Sequence, residues 1–251
     1  MDPSASARRA WRRSPQRAYF SLIVTPGAGR RAIAPNNNKN NNTREMTVDH
    51  QQRAGLRRRR AARIAETLAR VRVLDPGTAA APAHLAAIKT EMIKLAGCGL
   101  FDLADFPPTA DGGDVTYLLH HDPDGRFGLY LMCGRHCAPV PPHDHKTWAV
   151  IAGIRGVETN TLYRREGGLD GDEETVSPRA EIAVTPGRAI ALGPCDVHTI
   201  SFDGGAQVTA TLHLYGRALD RITERVKFTA GGVLDGTYRT RVEDCVLAPQ
   251  I

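Results

Sequence analysis

Apolar positions recur along the chain at two different periods, and the switch between them divides it. From Asp49 to Val73 the spacing is helical, with Leu56, Ile64, Leu68 and Val71 on one broad face. Asp75-Pro76-Gly77 breaks that helix. Pro82–Cys98 predicts a second one, with Leu85, Ile88, Met92 and Leu95 apolar and Gly97 and Gly99 closing it. After Pro107-Pro108 the pattern shortens to strand-length runs between turn signals, from about Val115 to Val246. Val115–His121, the turn Asp122-Pro123-Asp124-Gly125 and Arg126–Cys133 predict a hairpin. Further turn signals stand at Gly167–Asp172, Thr185-Pro186-Gly187, Gly193-Pro194 and Asp203-Gly204-Gly205. Many short strands at this spacing predict a mainly β body, an antiparallel sandwich or barrel of jelly-roll type. The expected organisation is a tail over 1–45, helices packing on the barrel over 46–110, and the barrel over 111–251.

Composition changes this picture little; charge changes it more. Hydrophobic residues make up 41% and charged residues 24%, values that support a real core. Apolar runs such as Trp148–Ile154 are too short to span a bilayer, so no membrane association is expected. Residues 1–75 carry 17 Lys+Arg against 5 Asp+Glu, a balance of +12, and residues 76–251 carry 16 against 22, or −6. The basic charge thus lies outside the folded body, which is acidic and unsuited to nucleic acid. Arg57–Arg60 is expected to be a solvated helix face. Residues 1–45 combine Arg pairs, Ser, Pro and the Asn36–Asn42 tract, broken only by Lys39. That composition favours a disordered tail, or sequence upstream of a start at Met46, over a mitochondrial presequence. Five Cys are too few for a disulfide scaffold and point to a reducing, cytoplasmic setting.

The candidate chemistry lies in the histidines. His143-Asp144-His145 follows Pro141-Pro142 and leads into an apolar run. At a strand entrance, residues 143 and 145 project to one face and can share a metal. His198 follows the turn Gly193-Pro194-Cys195-Asp196 and could complete a facial set with open positions. His50, His84 and His136 read as ordinary residues, and His120-His121 as a strand end that could also line a pocket. Cys133, His136 and Cys137 lack the second pair a zinc site needs. Thr211, His213 and Tyr215 share one strand face by the period of two, which supports a side-chain relay.

The stretches Tyr117–Phe127, Pro142–Trp148, Gly153–Glu158, His198 and Thr211–Gly216 resemble the thiol dioxygenases of the cupin superfamily. That group contains cysteine dioxygenase and 3-mercaptopropionate dioxygenase, and the resemblance covers roughly residues 60–245. It implies a cupin double-stranded β-helix with a short N-terminal helical segment. It also implies Fe2+ held by His143, His145 and His198, and a relay of Thr211, His213 and Tyr215. Many other cupins place a Glu four or five residues after the second His; here Ala149 and Val150 stand there, which fits three-His ligation.

The chain also departs from the family. Thr211 replaces the usual Ser. Val150 stands where the mammalian cysteine enzymes carry the Cys of a Cys–Tyr crosslink, so no such thioether forms. The strand Val115–Leu119 lacks the Arg that binds the carboxylate in the cysteine enzymes. In the mercaptopropionate type an Arg follows the relay Tyr by about nine residues; here that position is Glu224, with Arg225 adjacent and Arg221 nearby. Arg225 is the substrate-binding candidate. The implied reaction adds both atoms of O2 to a small thiol acid, 3-mercaptopropionate or cysteine, giving the sulfinate. The alternative is a non-redox metal-binding cupin, an isomerase or a small-molecule-binding module. A 2-oxoglutarate oxygenase needs a carboxylate at position 145, and a DNA-binding regulator needs a tight turn after the first helix.

Overall fold

The structure, a computed structural model, describes residues 38–74, 81–138, 140–167, 174–202, 204–241 and 244–249. The expectations for residues 1–37, for the Asp75-Pro76-Gly77 break and for the turn at 168–172 lie outside them. By its internal contacts the chain divides into Met1–Glu45 and Met46–Ile251. Among the described residues, no helix is long and apolar enough to cross a membrane.

Helix α1 spans Asn38–Leu74 and so starts before the Asp49 expected from periodicity, running through part of the Asn tract. Once a nucleus exists, each added residue gains one hydrogen bond, so a helix can extend over poor formers. Ile64, Leu68 and Val71 are buried, as the periodic face predicts. Helix α2, Pro82–Ala96, starts with Pro in its first turn, where no amide partner is lost, and stops at Gly97. Its buried Leu85, Ile88, Met92 and Leu95 share one core with α1.

Among the described residues eleven strands follow: β1 Val115–His121, β2 Gly128–Gly134, β3 Ala149–Arg155, β4 Glu158–Glu166, β5 Thr175–Val184, β6 Ala189–Leu192, β7 Val197–Phe202, β8 Thr209–Tyr215, β9 Val226–Phe228, β10 Leu234–Thr237 and β11 Val246–Leu247. A six-stranded sheet has the order β11-β1-β2-β8-β3-β6, a three-stranded sheet the order β5-β4-β7, and β9 and β10 pair as a hairpin. Pro178 falls on the edge strand β5 opposite the register shift at Tyr163, where a missing amide donor is tolerated. Gly153 lets β3 pass the following turn: a Cβ there would lie 2.4 Å from the Thr185 carbonyl.

Alternation along the large sheet separates two environments. On β8, Ala210, Leu212 and Leu214 join the core built with the helices, while Thr211, His213 and Tyr215 point the other way. On β2, Leu129, Leu131 and Cys133 face that same core, and Tyr130 and Met132 face a cavity. Helix α2 packs on β3, β6 and β8 and seals the apolar side. Fully burying each of Leu68, Ile88, Met92 and Leu95 is worth about 1.5–3 kcal/mol. The apolar face anchors the sheet, and the opposite face is free for chemistry.

The Arg57–Arg60 run is not a uniform solvated face. Arg58 and Arg59 are exposed, but Arg57 and Arg60 both pair with Asp105, at 2.7 and 2.9 Å. The Arg60 guanidinium is buried and lies 4.7 Å over the Phe106 ring. The helix period brings 57 and 60 to one side, where Asp105 receives them both.

Candidate metal centre

Pro141-Pro142 holds the chain extended into His143, whose backbone exchanges two hydrogen bonds with His198, each 3.0 Å. The sequence places the His pair at the entrance of a strand; in the structure His143 makes isolated bridges and β3 begins only at Ala149. The interruption is Lys146, a non-glycine residue in the left-handed region with φ 52°. Its amide bonds the Pro194 carbonyl at 3.0 Å, so the chain bends immediately after His145. Asp144 points away from its neighbours' ligand side and is fully buried. It accepts from Arg165 Nη2 at 2.5 Å, Lys146 Nζ at 2.8 Å and the Val226 amide at 3.0 Å.

His143, His145 and His198 are all buried, and one ring nitrogen from each lies within 4.8 Å of the others. Among the described residues this is the one such cluster. His143 Nδ1 donates to the Pro141 carbonyl at 2.8 Å, leaving Nε2 free. His198 Nδ1 faces Asn160 Oδ1 at 2.9 Å, and its Nε2 stands 3.2 Å from His145 Nε2. His145 Nδ1 is buried with no hydrogen-bond partner. Burial pushes His143 and His145 well below the ordinary imidazole range and His198 down to about 3. All three rings are therefore neutral at pH 7, which is the ligating form. Nitrogen lone pairs converging from three buried side chains fit a divalent cation.

Thr211, His213 and Tyr215 line up beside the cluster. Thr211 Oγ1 is 3.0 Å from His213 Nε2, and the Tyr215 hydroxyl is 3.4 Å from His213 Nδ1. The Tyr215 ring packs edge-on to His145 with centroids 5.1 Å apart, and burial raises its phenol pKa. Sequence reasoning did not single out the group at the other end. Glu158 on β4 is fully buried, with Oε2 2.6 Å from Thr211 Oγ1 and 3.1 Å from His213 Nε2. Its Oε1 accepts from Asn160 Nδ2 at 3.0 Å. Burial would raise the Glu158 carboxyl, but His213 and the hydrogen bonds from Thr211 and Asn160 outweigh it and hold the pKa below the usual range. The available signal was a Glu and an Asn two residues apart, sharing the inward face of a strand.

A cavity of about 250 Å³ opens onto His143, His198, His213 and Tyr215. Met132, Val140, Ile200 and Leu219 give it an apolar wall, and Arg225 stands in its lining. Arg225 is 2% exposed, and burial lowers its pKa. Nε donates to the Asp144 carbonyl at 3.2 Å, Nη1 donates to Thr240 Oγ1 at 3.1 Å, and the guanidinium lies 4.6 Å over the Tyr238 ring. Nη2 has no protein partner among the described residues. Glu224 is exposed and pairs with Arg217, and Arg221 is exposed, so neither lines the cavity. His120 and His121 pair with Asp122 and Asp220 and do not line it either. All five cysteines are free.

The six-stranded sheet, antiparallel except for the parallel β11–β1 pair, and the three-stranded antiparallel sheet carry the elements around three histidines, two from the segment before β3 and one from β7. This is the mainly β, two-sheet architecture with N-terminal helices that the sequence predicts. No protein-family profile matches the chain. Solved structures similar to this chain include a candidate mannose-6-phosphate isomerase from Ralstonia eutropha JMP134, 20% identical over 47% of this chain and 97% of that one, with a TM-score of 0.33. A cupin superfamily protein from Desulfitobacterium hafniense DCB-2 is 12% identical over 46% and 83%, with a TM-score of 0.31. An RmlC-like cupin protein from Ralstonia eutropha JMP134 is 12% identical over 53% and 71%, with a TM-score of 0.34. Likeness of this degree carries no activity from those proteins to this one.

Proposed function

We propose that this protein is an iron-dependent thiol dioxygenase of the cupin type that converts a small thiol acid and O2 to the sulfinate, with 3-mercaptopropionate preferred over cysteine. The observation that carries the proposal is a buried arginine in the lining of the same small cavity that opens onto His143 and His198, two of three buried imidazoles whose ring nitrogens lie together. Three neutral ligands leave a bound cation's charge uncompensated, which suits an anionic thiolate. Ferrous iron, when bound, would supply the redox chemistry that joins oxygen to sulfur. Arg225 would bind the carboxylate through its unengaged Nη2, held in place by Asp144, Thr240 and the Tyr238 ring. The apolar wall would seat the short carbon chain and exclude water. Tyr215, with its phenol kept protonated by burial, would exchange its proton with His213 at the edge of the cavity. A volume of about 250 Å³ suits a molecule smaller than a drug-sized ligand.

The test is oxygen consumption by iron-loaded protein across a panel of thiols, with the sulfinate quantified. Stoichiometric uptake with 3-mercaptopropionate, faster than with cysteine, is expected. Protein shown to hold iron that consumes no oxygen with any small thiol acid would refute the dioxygenase assignment. Faster turnover of cysteine would refute the preference alone.

A further inference from the structure

Hydrogen-bond polarity around Glu158 runs in one direction. An ionised carboxylate has no proton to give, so Thr211, His213 and Asn160 must all donate to it. With its proton turned to Glu158, the Thr211 hydroxyl offers only lone pairs to His213 Nε2, 3.0 Å away. Both neighbours of Nε2 are acceptors, so Nε2 carries a proton whatever the ring's charge. In the singly protonated ring Nδ1 is then a lone pair toward the Tyr215 hydroxyl. On the other side, Asn160 has committed its Nδ2 to Glu158 and must present Oδ1 to His198 Nδ1. His198 then carries its proton on Nδ1 and turns a bare Nε2 toward the other two imidazoles.

We propose that Glu158 is the positioning residue that sets the tautomers of both His213 and His198, so that one buried carboxylate readies the relay to accept the Tyr215 proton and keeps the third imidazole free to ligate. The relay ends on this carboxylate and not on the Thr211 hydroxyl. This deepens the thiol dioxygenase proposal and rests on it for what the relay serves; the tautomers themselves need no thiol or oxygen chemistry.

Long-range 1H–15N correlation spectra of the metal-free, histidine-labelled full chain read the tautomers directly. The wild-type protein is expected to show His213 protonated on Nε2 and His198 on Nδ1. Glu158→Gln offers one donor and one acceptor end where three donors wait, so one of the two tautomers is expected to invert. Inversion at His198 lowers iron affinity, by about 10- to 100-fold, as for other outer-shell partners of metal-bound His. Inversion at His213 lowers kcat with little change in KM. Thr211→Val removes the hydroxyl at nearly constant shape and is expected to leave His213 protonated on Nε2. Wild-type tautomers at both histidines in Glu158→Gln, or inversion of His213 in Thr211→Val, would overturn the proposal. Should Glu158→Gln fail to fold, the Thr211→Val spectrum still decides between a carboxylate and a hydroxyl terminus. Wild-type tautomers as expected, together with no oxygen uptake, would sink the dioxygenase proposal and leave this one standing.

Discussion

Arg225 is a charge taken out of water, with a carbonyl, a hydroxyl and a ring face as its direct contacts among the described residues. Such an arrangement is costly in isolation and becomes favourable when an anion arrives. Arg225→Ala should lower kcat/KM for a thiol acid by about 30- to 150-fold, the equivalent of about 2–3 kcal/mol for a lost charged hydrogen bond. Steady-state kinetics beside a melting curve separate that loss from unfolding. The three-His cluster was legible as His143-x-His145 plus His198, because residue type and spacing carry the chemistry. Glu158 and Asn160 were not legible as a site. Their partners lie on β8 and β7, and no spacing within β4 says which strands will face it.

At the scale of elements, the helices and the hairpin β1–β2 follow from period and turn residues alone, and α2 differs from its expected span only at its end. What periodicity missed was the left-handed Lys146, which ends the His segment before β3 begins. It also missed the ion pairs, since the period puts Arg57 and Arg60 on one side without naming Asp105. That carboxylate docks α1. Burial works against its ionisation, but hydrogen bonds from Arg57 and Arg60 hold its pKa below the usual value. The stability it adds is therefore present above about pH 4 and is lost as pH falls below it. Asp105→Ala would strand a buried guanidinium at Arg60 and should cost about 3–5 kcal/mol, measured by urea unfolding. Arg58→Ala and Arg59→Ala, at exposed positions, should each cost within about 0.5 kcal/mol.

Across the whole molecule, the cluster makes stability depend on pH. His143, His145 and His198 have folded pKa values below that of an unfolded imidazole, near 6.5. Below about pH 6.5 the unfolded chain binds more protons than the folded one, so stability falls as the solution acidifies. The fall should reach up to about 1.4 kcal/mol per pH unit for each imidazole, and for His198 it continues until about pH 3. Urea midpoints of the metal-free protein between about pH 7.5 and about pH 5 measure it. A flat profile would mean that the rings are not held neutral by burial.

The two amide bonds between His143 and His198 carry a further consequence. Residues that exchange both bonds across an antiparallel pair have a separation set by the backbone ladder, independent of what their side chains hold. The spacing between these two imidazoles is thus a fixed bite, like that of a rigid chelator, and belongs to the scaffold. Losing or exchanging a cation need not disturb it. The entropy of bringing two of the three ligands together is already spent when the chain folds, and only the last ring remains to be oriented by its own packing.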